Sequence, residues 1–308
     1  MTGGAGRMSA RRRVAPRAAN GRVRDVPPHA YFVVSAVFHY LGPSFAVLLF
    51  ARVQVLGVAW LRIASAGLIF ALWRRPWHAF ARLDGGGRRL LAAWGAVLAI
   101  MNCCFYLAIS RLALGTVAAI EFLPVIALAA LGARSTRNSL ALLMAIAGVY
   151  LLTDVRLVGA PVGFLFAFAN AALFATYIVL ADKVAKRPLL SGIDGLAAAM
   201  VIACVVVTPI GGWQAARAIV DPLALLAGVG VGISSSVIPY VTDQLAMARL
   251  PRATYSTMVA LLPALATVIG LVVLAQIPTW TEALGVSLVV AGVAVHRAHA
   301  VETAERRG

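Results

Sequence analysis

Apolar residues in this chain neither alternate nor recur at helical intervals within mixed segments. They gather in near-continuous runs separated by short polar stretches. Ten runs are evident: Ala30–Phe50, Gln54–Trp73, Leu90–Leu107, Leu114–Leu131, Ser139–Thr153, Gly159–Leu180, Ile193–Gly212, Pro222–Met247, Thr254–Ala275 and Glu282–Val295. Most approach the length of about 20 residues that an α-helix needs to cross a bilayer core. A helix that is apolar on every side is buried or faces lipid. The expected fold is therefore all-α and integral to a membrane, with ten transmembrane helices.

Composition agrees with that class. Hydrophobic residues make up 62% of the chain and charged residues 12%, against about 45–50% and about 25% in soluble domains. Mean hydropathy is +0.91. The net charge of +16 would suit a nucleic-acid partner, but its distribution argues otherwise. With the N-terminus inside, 22 of the 27 Lys and Arg residues fall in inside segments. Only Arg52, Arg111, Arg156 and Arg217 fall outside, and Arg62 is within a run. This alternation follows the positive-inside rule. It puts both termini in the cytoplasm and supports an even number of spans. Residues 1–29 read as an Arg-rich, disordered, uncleaved cytoplasmic tail, and 296–308 as a second cytoplasmic tail.

The spans divide into two sets of five, 30–153 and 159–295. Arg111-Leu112 followed by Thr116 and Pro124 is echoed by Arg249-Leu250, Thr254 and Pro263. Five is odd, so the second set enters the membrane inverted relative to the first. Inverted repeats of this kind are a feature of secondary transporters, whose substrate sites lie near midplane between the repeats.

Motifs for catalysis or cofactors are absent. The chain contains no P-loop, no HExxH and no CxxC, and Gly228, Gly230 and Gly232 suit close helix packing better than nucleotide binding. Cys103, Cys104 and Cys204 lie inside apolar runs, as small core residues do. Neither an enzyme nor a metal or cofactor site is expected. A non-transporting membrane scaffold stays open as an alternative.

The informative residues are polar groups inside the runs, since an intramembrane charge is rare without a polar partner or a function. Arg62 and Glu121 lie at matched depths, about 10–12 Å from the outer face at 1.5 Å per residue. They form either a structural ion pair or the lining of a cavity. In a cavity the guanidinium would grip a substrate carboxylate and Glu121 would hold an ammonium or a coupling proton. Asp243, near the inner end of its run, is an interfacial acid or an inner-gate group. His39 and Tyr40 precede Pro43 in the first run, where a histidine is either a hydrogen-bonded core residue or a titrating group. Asn102, Asn170 and Tyr177 are suited to hydrogen bonds between helices. Ser234, Ser235, Ser236 and Tyr240, near Pro239, line a cavity or satisfy carbonyls freed by the proline.

Several of these segments resemble the drug/metabolite transporter superfamily, in particular its two-repeat EamA group and the bacterial threonine/homoserine exporters. The likeness covers about Ala30 to Val295. It is carried by Met101-Asn102 through Phe105-Tyr106 to Ile109, by Leu114-Gly115 and Ala119-Ile120-Glu121-Phe122, and by Ile238-Pro239-Tyr240 through Arg249-Leu250-Pro251. Tyr255-Ser256-Thr257, Pro263 to Ala266, Gly57-Val58 with Leu61-Arg62, and Ala175-Thr176-Tyr177 add to it. The resemblance implies a ten-helix inner-membrane carrier with a central cavity, exporting small amino acids or related metabolites with coupling to protons. It makes Arg62 and Glu121 family positions. The chain departs from the exporters at Val47, where they carry a lysine, at Leu262, where they carry an acid, and at Ala275-Gln276, where they carry Gly-Glu. It is also one residue short between Glu121 and Pro124.

Overall fold

The computed structural model describes residues 27–132, 136–154, 160–187, 192–250, 255, 258–259 and 261–305. The tail through residue 26, the run starts at Gly159 and Thr254, and the Pro251 and Ser256-Thr257 motif positions lie outside the described residues. The described residues are helical, and no strand occurs among them.

The long helices are α1 (Pro28–Leu49), α2 (Val55–Arg74), α3 (Gly85–Ile109), α4 (Leu114–Gly132), α5 (Thr136–Asp154), α6 (Pro161–Ala185) and α7 (Ile193–Val220). Next comes α8, which runs through Pro222–Gly232, a π-helical turn at Ile233–Val237, and Ile238–Met247. Helices α9 (Leu262–Leu274) and α10 (Trp280–Glu305) complete the set. Six of these, α1, α2, α3, α6, α7 and α8, are long and apolar enough to cross a membrane; α4, α5, α9 and α10 contain shorter apolar segments.

The boundaries differ from the apolar runs where local chemistry extends a helix. Helix α3 starts five residues before Leu90 because the Asp84 side chain accepts from the Gly87 N–H at 2.9 Å, which caps the helix. Helix α7 continues past Gly212 to Val220. Gly211 is there for packing: a Cβ on it would strike the Leu56 carbonyl, and a Cβ on Gly57 would lie 2.8 Å from the Gln214 carbonyl carbon. Small residues thus let the α2 and α7 backbones approach closely. Gly148 and Gly285 do the same for α5 and α10, where each Cβ would meet the other glycine's carbonyl oxygen at 2.6 and 2.8 Å. Helix α10 runs on to Glu305, so most of the expected C-terminal tail is helical. Residues 296–305 hold no proline or glycine to stop it. A short helix, Trp77–Ala81, sits in the loop between α2 and α3.

The packing has an internal correspondence. Helix α3 lies on α6 and α7, and α8 lies on α1 and α2; α4 contacts α6, and α9 contacts α1. Helices α2 and α7, α4 and α9, and α5 and α10 pair with each other. Each contact maps onto another, or onto itself, when five is added to a helix number in the first set or subtracted in the second. Capping acids follow the same rule. Asp84, which caps α3, pairs with Arg187 after α6 at 3.0 Å. Asp221, which caps α8 through Leu223 N and Ala224 N, pairs with Arg52 after α1 at 3.5 Å. The Gly87 amide and the Arg187 guanidinium hold the Asp84 carboxyl below the usual carboxylate range. Exposed pairs of this type add little stability, so their value is in marking corresponding positions.

Large apolar side chains such as Leu72, Leu165, Val205 and Val272 are exposed on the outer surfaces of their helices, as suits lipid. Buried polar residues gather inside. They include Ser35, Arg62, Asn102, Glu121, Asn170 and Ser234–Ser236.

Candidate functional site

Two adjoining cavities lie between α1, α2, α3, α4, α6 and α8. The smaller, about 80 Å³, is lined by His39, Pro43, Arg62, Met101, Asn102, Phe105, Glu121, Asn170, Phe174, Tyr177 and Tyr240. The larger, about 510 Å³, shares His39, Glu121, Phe174, Tyr177 and Tyr240 with it. From there it widens past Trp94, Phe122 and Asp243 to Ala185, Gly192 and Gln244 at the ends of α6, α7 and α8. That is the end of the bundle that carries the Arg187–Asp84 pair.

Arg62 is held from α8. Its Nε donates to Ser236 Oγ at 3.0 Å and its Nη2 to the Ser235 carbonyl oxygen at 3.1 Å. The Ser235 carbonyl is open to this bond for a covalent reason. Its α-helical partner would be the N–H four residues on, and that residue is Pro239, which has none. The π-helical turn at Ile233–Val237 spaces the serines toward Arg62. The guanidinium carbon lies over the Tyr106 ring, 5.5 Å from its centroid, within cation–π range. Pro43 likewise removes the donor that would have served the His39 carbonyl, at the wall of the smaller pocket.

Glu121 is held from α6. Asn170 Nδ2 donates to Glu121 Oε1 at 3.2 Å, while Asn170 Oδ1 is buried with no hydrogen-bond partner. Among the described ion pairs none joins Arg62 to Glu121. The two groups face one pocket, each secured by a different helix.

The other sequence candidates separate. Tyr177 and Tyr240 line both cavities. Asn102 lines the small one, with its Nδ2 bonded to the Leu98 carbonyl of its own helix at 2.7 Å. Asp243 lines the large one and accepts from the Tyr255 hydroxyl at 2.6 Å. Ser235 contributes its carbonyl rather than its side chain. Tyr40 is fully buried in the apolar core with its hydroxyl unpartnered, and it lines neither cavity. Asn170 stands out more in the structure than in the sequence, as do Tyr106, Trp94 and Phe174. Asn170, Phe174 and Tyr177 are spaced at i, i+4 and i+7, which sets them on one helical face.

A third cavity, about 380 Å³, lies at the opposite end, between the α3–α4 turn and the α9–α10 connection. Here Gln276 Oε1 accepts from the Leu114 N–H at 3.0 Å, capping α4. Ala275, which ends α9, has φ +52°, a left-handed conformation that favours glycine. Ala275→Gly is expected to stabilise the fold by about 0.5–1 kcal/mol. Thermal unfolding in detergent checks this, and a lowered melting temperature would contradict it.

These features agree with comparisons to known proteins. A family model described as the EamA-like transporter family matches residues 161–297. The threonine/homoserine exporter RhtA of Escherichia coli K12 is 30% identical over 278 residues, covering 88% of this chain and 92% of its own. The exporter of that name from Salmonella typhimurium LT2 is 30% identical over 257 residues, covering 81% and 84%. A solved crystal structure with 17% identity superposes with a TM-score of 0.56 over 87% of this chain and 96% of its own length, a likeness of fold. With an all-helical membrane architecture and relatives similar over most of its length, the chain belongs to the EamA-like transporter family.

Proposed function

We propose that this protein is a secondary transporter that exports amino acids or related metabolites across a bacterial inner membrane. It works by alternating access, with proton uptake and release at Glu121. Threonine and homoserine are the first candidates, since the relatives are named for them. The observation that carries the reading is the arrangement of Arg62 and Glu121. A guanidinium held by α8 and a carboxylate held by α6 face one pocket with no ion pair joining them among the described contacts. A zwitterion supplies the missing partner to each, a carboxylate for the fork of Arg62 and an ammonium for Glu121.

The architecture supports the same reading. The exchange of helix contacts between two sets of five, and the matched Asp84–Arg187 and Asp221–Arg52 pairs, fit ten spans in two inverted repeats, 30–153 and 159–295. With the Lys- and Arg-rich segments in the cytoplasm, both termini are cytoplasmic. The 510 Å³ cavity then opens inward, the state in which an exporter loads. A broader metabolite exporter is the second reading, favoured by the mostly apolar walls of that cavity.

Counterflow in proteoliposomes tests the proposal. Vesicles loaded with threonine or homoserine should accumulate labelled threonine, at rates that differ between pH 6 and pH 8. Failure of a folded preparation to exchange any amino acid would reject it.

A further inference from the structure

By formal charge, the cavity lining holds more acidic groups than a neutral zwitterion balances. Arg62 is the one Lys or Arg among the described residues that line either chamber, and Glu121 and Asp243 are the acids. Counting His39 as neutral, one negative charge remains after a zwitterion has met Arg62 and Glu121. Asp243 has a hydroxyl donor, Tyr255, and no cation pairs with it among the described contacts. A carboxylate at this depth is costly unless it meets a positive charge.

The acids also have a spatial order. Tyr240 lines both chambers and Asp243 only the larger. Three residues of helix place Asp243 about 4.5 Å further toward the mouth than Tyr240. Between the pocket and Asp243 the wall is aromatic, with Phe174, Tyr177 and Trp94. Phe174 and Tyr177 have parallel rings 6.4 Å apart, and Trp94 lies 5.5 Å from Tyr177. Within the pocket, the buried Asn170 Oδ1 has no donor, so the group that belongs beside Glu121 brings N–H bonds. An ammonium does so.

We propose that the preferred cargo is a basic amino acid with a second ammonium at the end of an apolar stem, such as lysine or ornithine. This rests on the amino-acid reading of the site given above. The α-carboxylate meets Arg62, and the α-ammonium meets Glu121 and Asn170 Oδ1. The methylene stem lies along the aromatic wall, and the distal ammonium reaches Asp243. The charges of protein and ligand then cancel. Aromatic faces near the stem's end add cation–π attraction.

The test is competition for labelled-lysine counterflow in proteoliposomes. Norleucine, which keeps the apolar stem of lysine without its distal ammonium, is compared with unlabelled lysine and with threonine. Lysine is expected to compete at about tenfold lower concentration than norleucine. That ratio should fall toward one in Asp243→Asn and recover in Asp243→Glu. Equal competition by norleucine and lysine in the unmodified protein would overturn the proposal, because the distal charge would then contribute nothing. So would threonine exchange that lysine leaves untouched, and that result would leave the amino-acid reading standing. Absence of exchange with every amino acid would remove both.

Discussion

Glu121→Gln is expected to lower amino-acid exchange by about 100-fold while the protein stays folded. Glutamine keeps the shape of the side chain and the oxygen that accepts from Asn170 Nδ2, now 3.2 Å from Glu121 Oε1. The helix contact between α4 and α6 therefore survives. What is lost is the negative charge, and with it both the counter-ion for a ligand ammonium and the proton carrier. Removing one partner of a buried charge pair costs about 2–5 kcal/mol, and 100-fold lies within that range. The check is exchange at pH 6 and pH 8, beside a melting curve in the same detergent. An unchanged melting temperature with exchange lost at both pH values is the expected result. Exchange within about threefold of the parent, with its pH dependence intact, would remove Glu121 from the coupling mechanism.

Arg62→Lys is expected to be nearly as damaging, for a different reason. Charge is conserved, so a purely electrostatic role would survive the change. Arg62, however, uses Nε and Nη2 in two directed bonds, to Ser236 Oγ and the Ser235 carbonyl. Its guanidinium carbon also sits over the Tyr106 ring. A lysine ammonium is a single point with a flexible stem and does not reproduce that fork. The Ser235 carbonyl, which Pro239 has no N–H to serve, would lose the charged donor it has in Arg62, at a cost of about 1.5–3 kcal/mol. Both the melting temperature and the exchange rate should fall, exchange by more than about tenfold. Arg62→Leu should be inactive. If Arg62→Lys exchanged at the parental rate, Arg62 would be acting as a charge alone.

The two substitutions test different links. Glu121→Gln leaves the hydrogen-bond frame and changes the charge, and Arg62→Lys leaves the charge and changes the frame. The contrast in melting temperature separates a residue that meets the cargo from one that also braces α8. The bracing follows from backbone chemistry: a proline at 239 opens a carbonyl at 235, and the π-helical turn aims it at α2.

Much of the architecture was legible along the chain. Continuous apolar runs with basic residues between them specify membrane-spanning helices, because the bilayer interior leaves a backbone few other ways to satisfy its hydrogen bonds. The cost of intramembrane charge made Arg62 and Glu121 conspicuous, and each prolines' missing donor was readable four residues upstream. The ends of helices were less legible. The Asp84 cap moved the start of α3 back to Gly85, and the charged end of α10 continued to Glu305. Neither depends on apolar length.

Partnership was decided by the tertiary structure alone. From matched depths, Arg62 and Glu121 were as well suited to each other as to a ligand. The fold gives Arg62 to the serines of α8 and Glu121 to Asn170 of α6, and it turns Tyr40 into the core beside a cavity it does not line. Helices that are apolar all round carry no polar stripe to say which face turns inward. Rotation of each helix about its axis is then set by close-packed small residues such as Gly57 and Gly211, or Gly148 and Gly285. The sequence by itself determined the membrane class, the depth of the charges and the carbonyls its prolines leave open. Which of those groups meet, and the excess of acidic over basic residues in the cavity they enclose, depend on interhelical packing that a one-dimensional pattern does not encode.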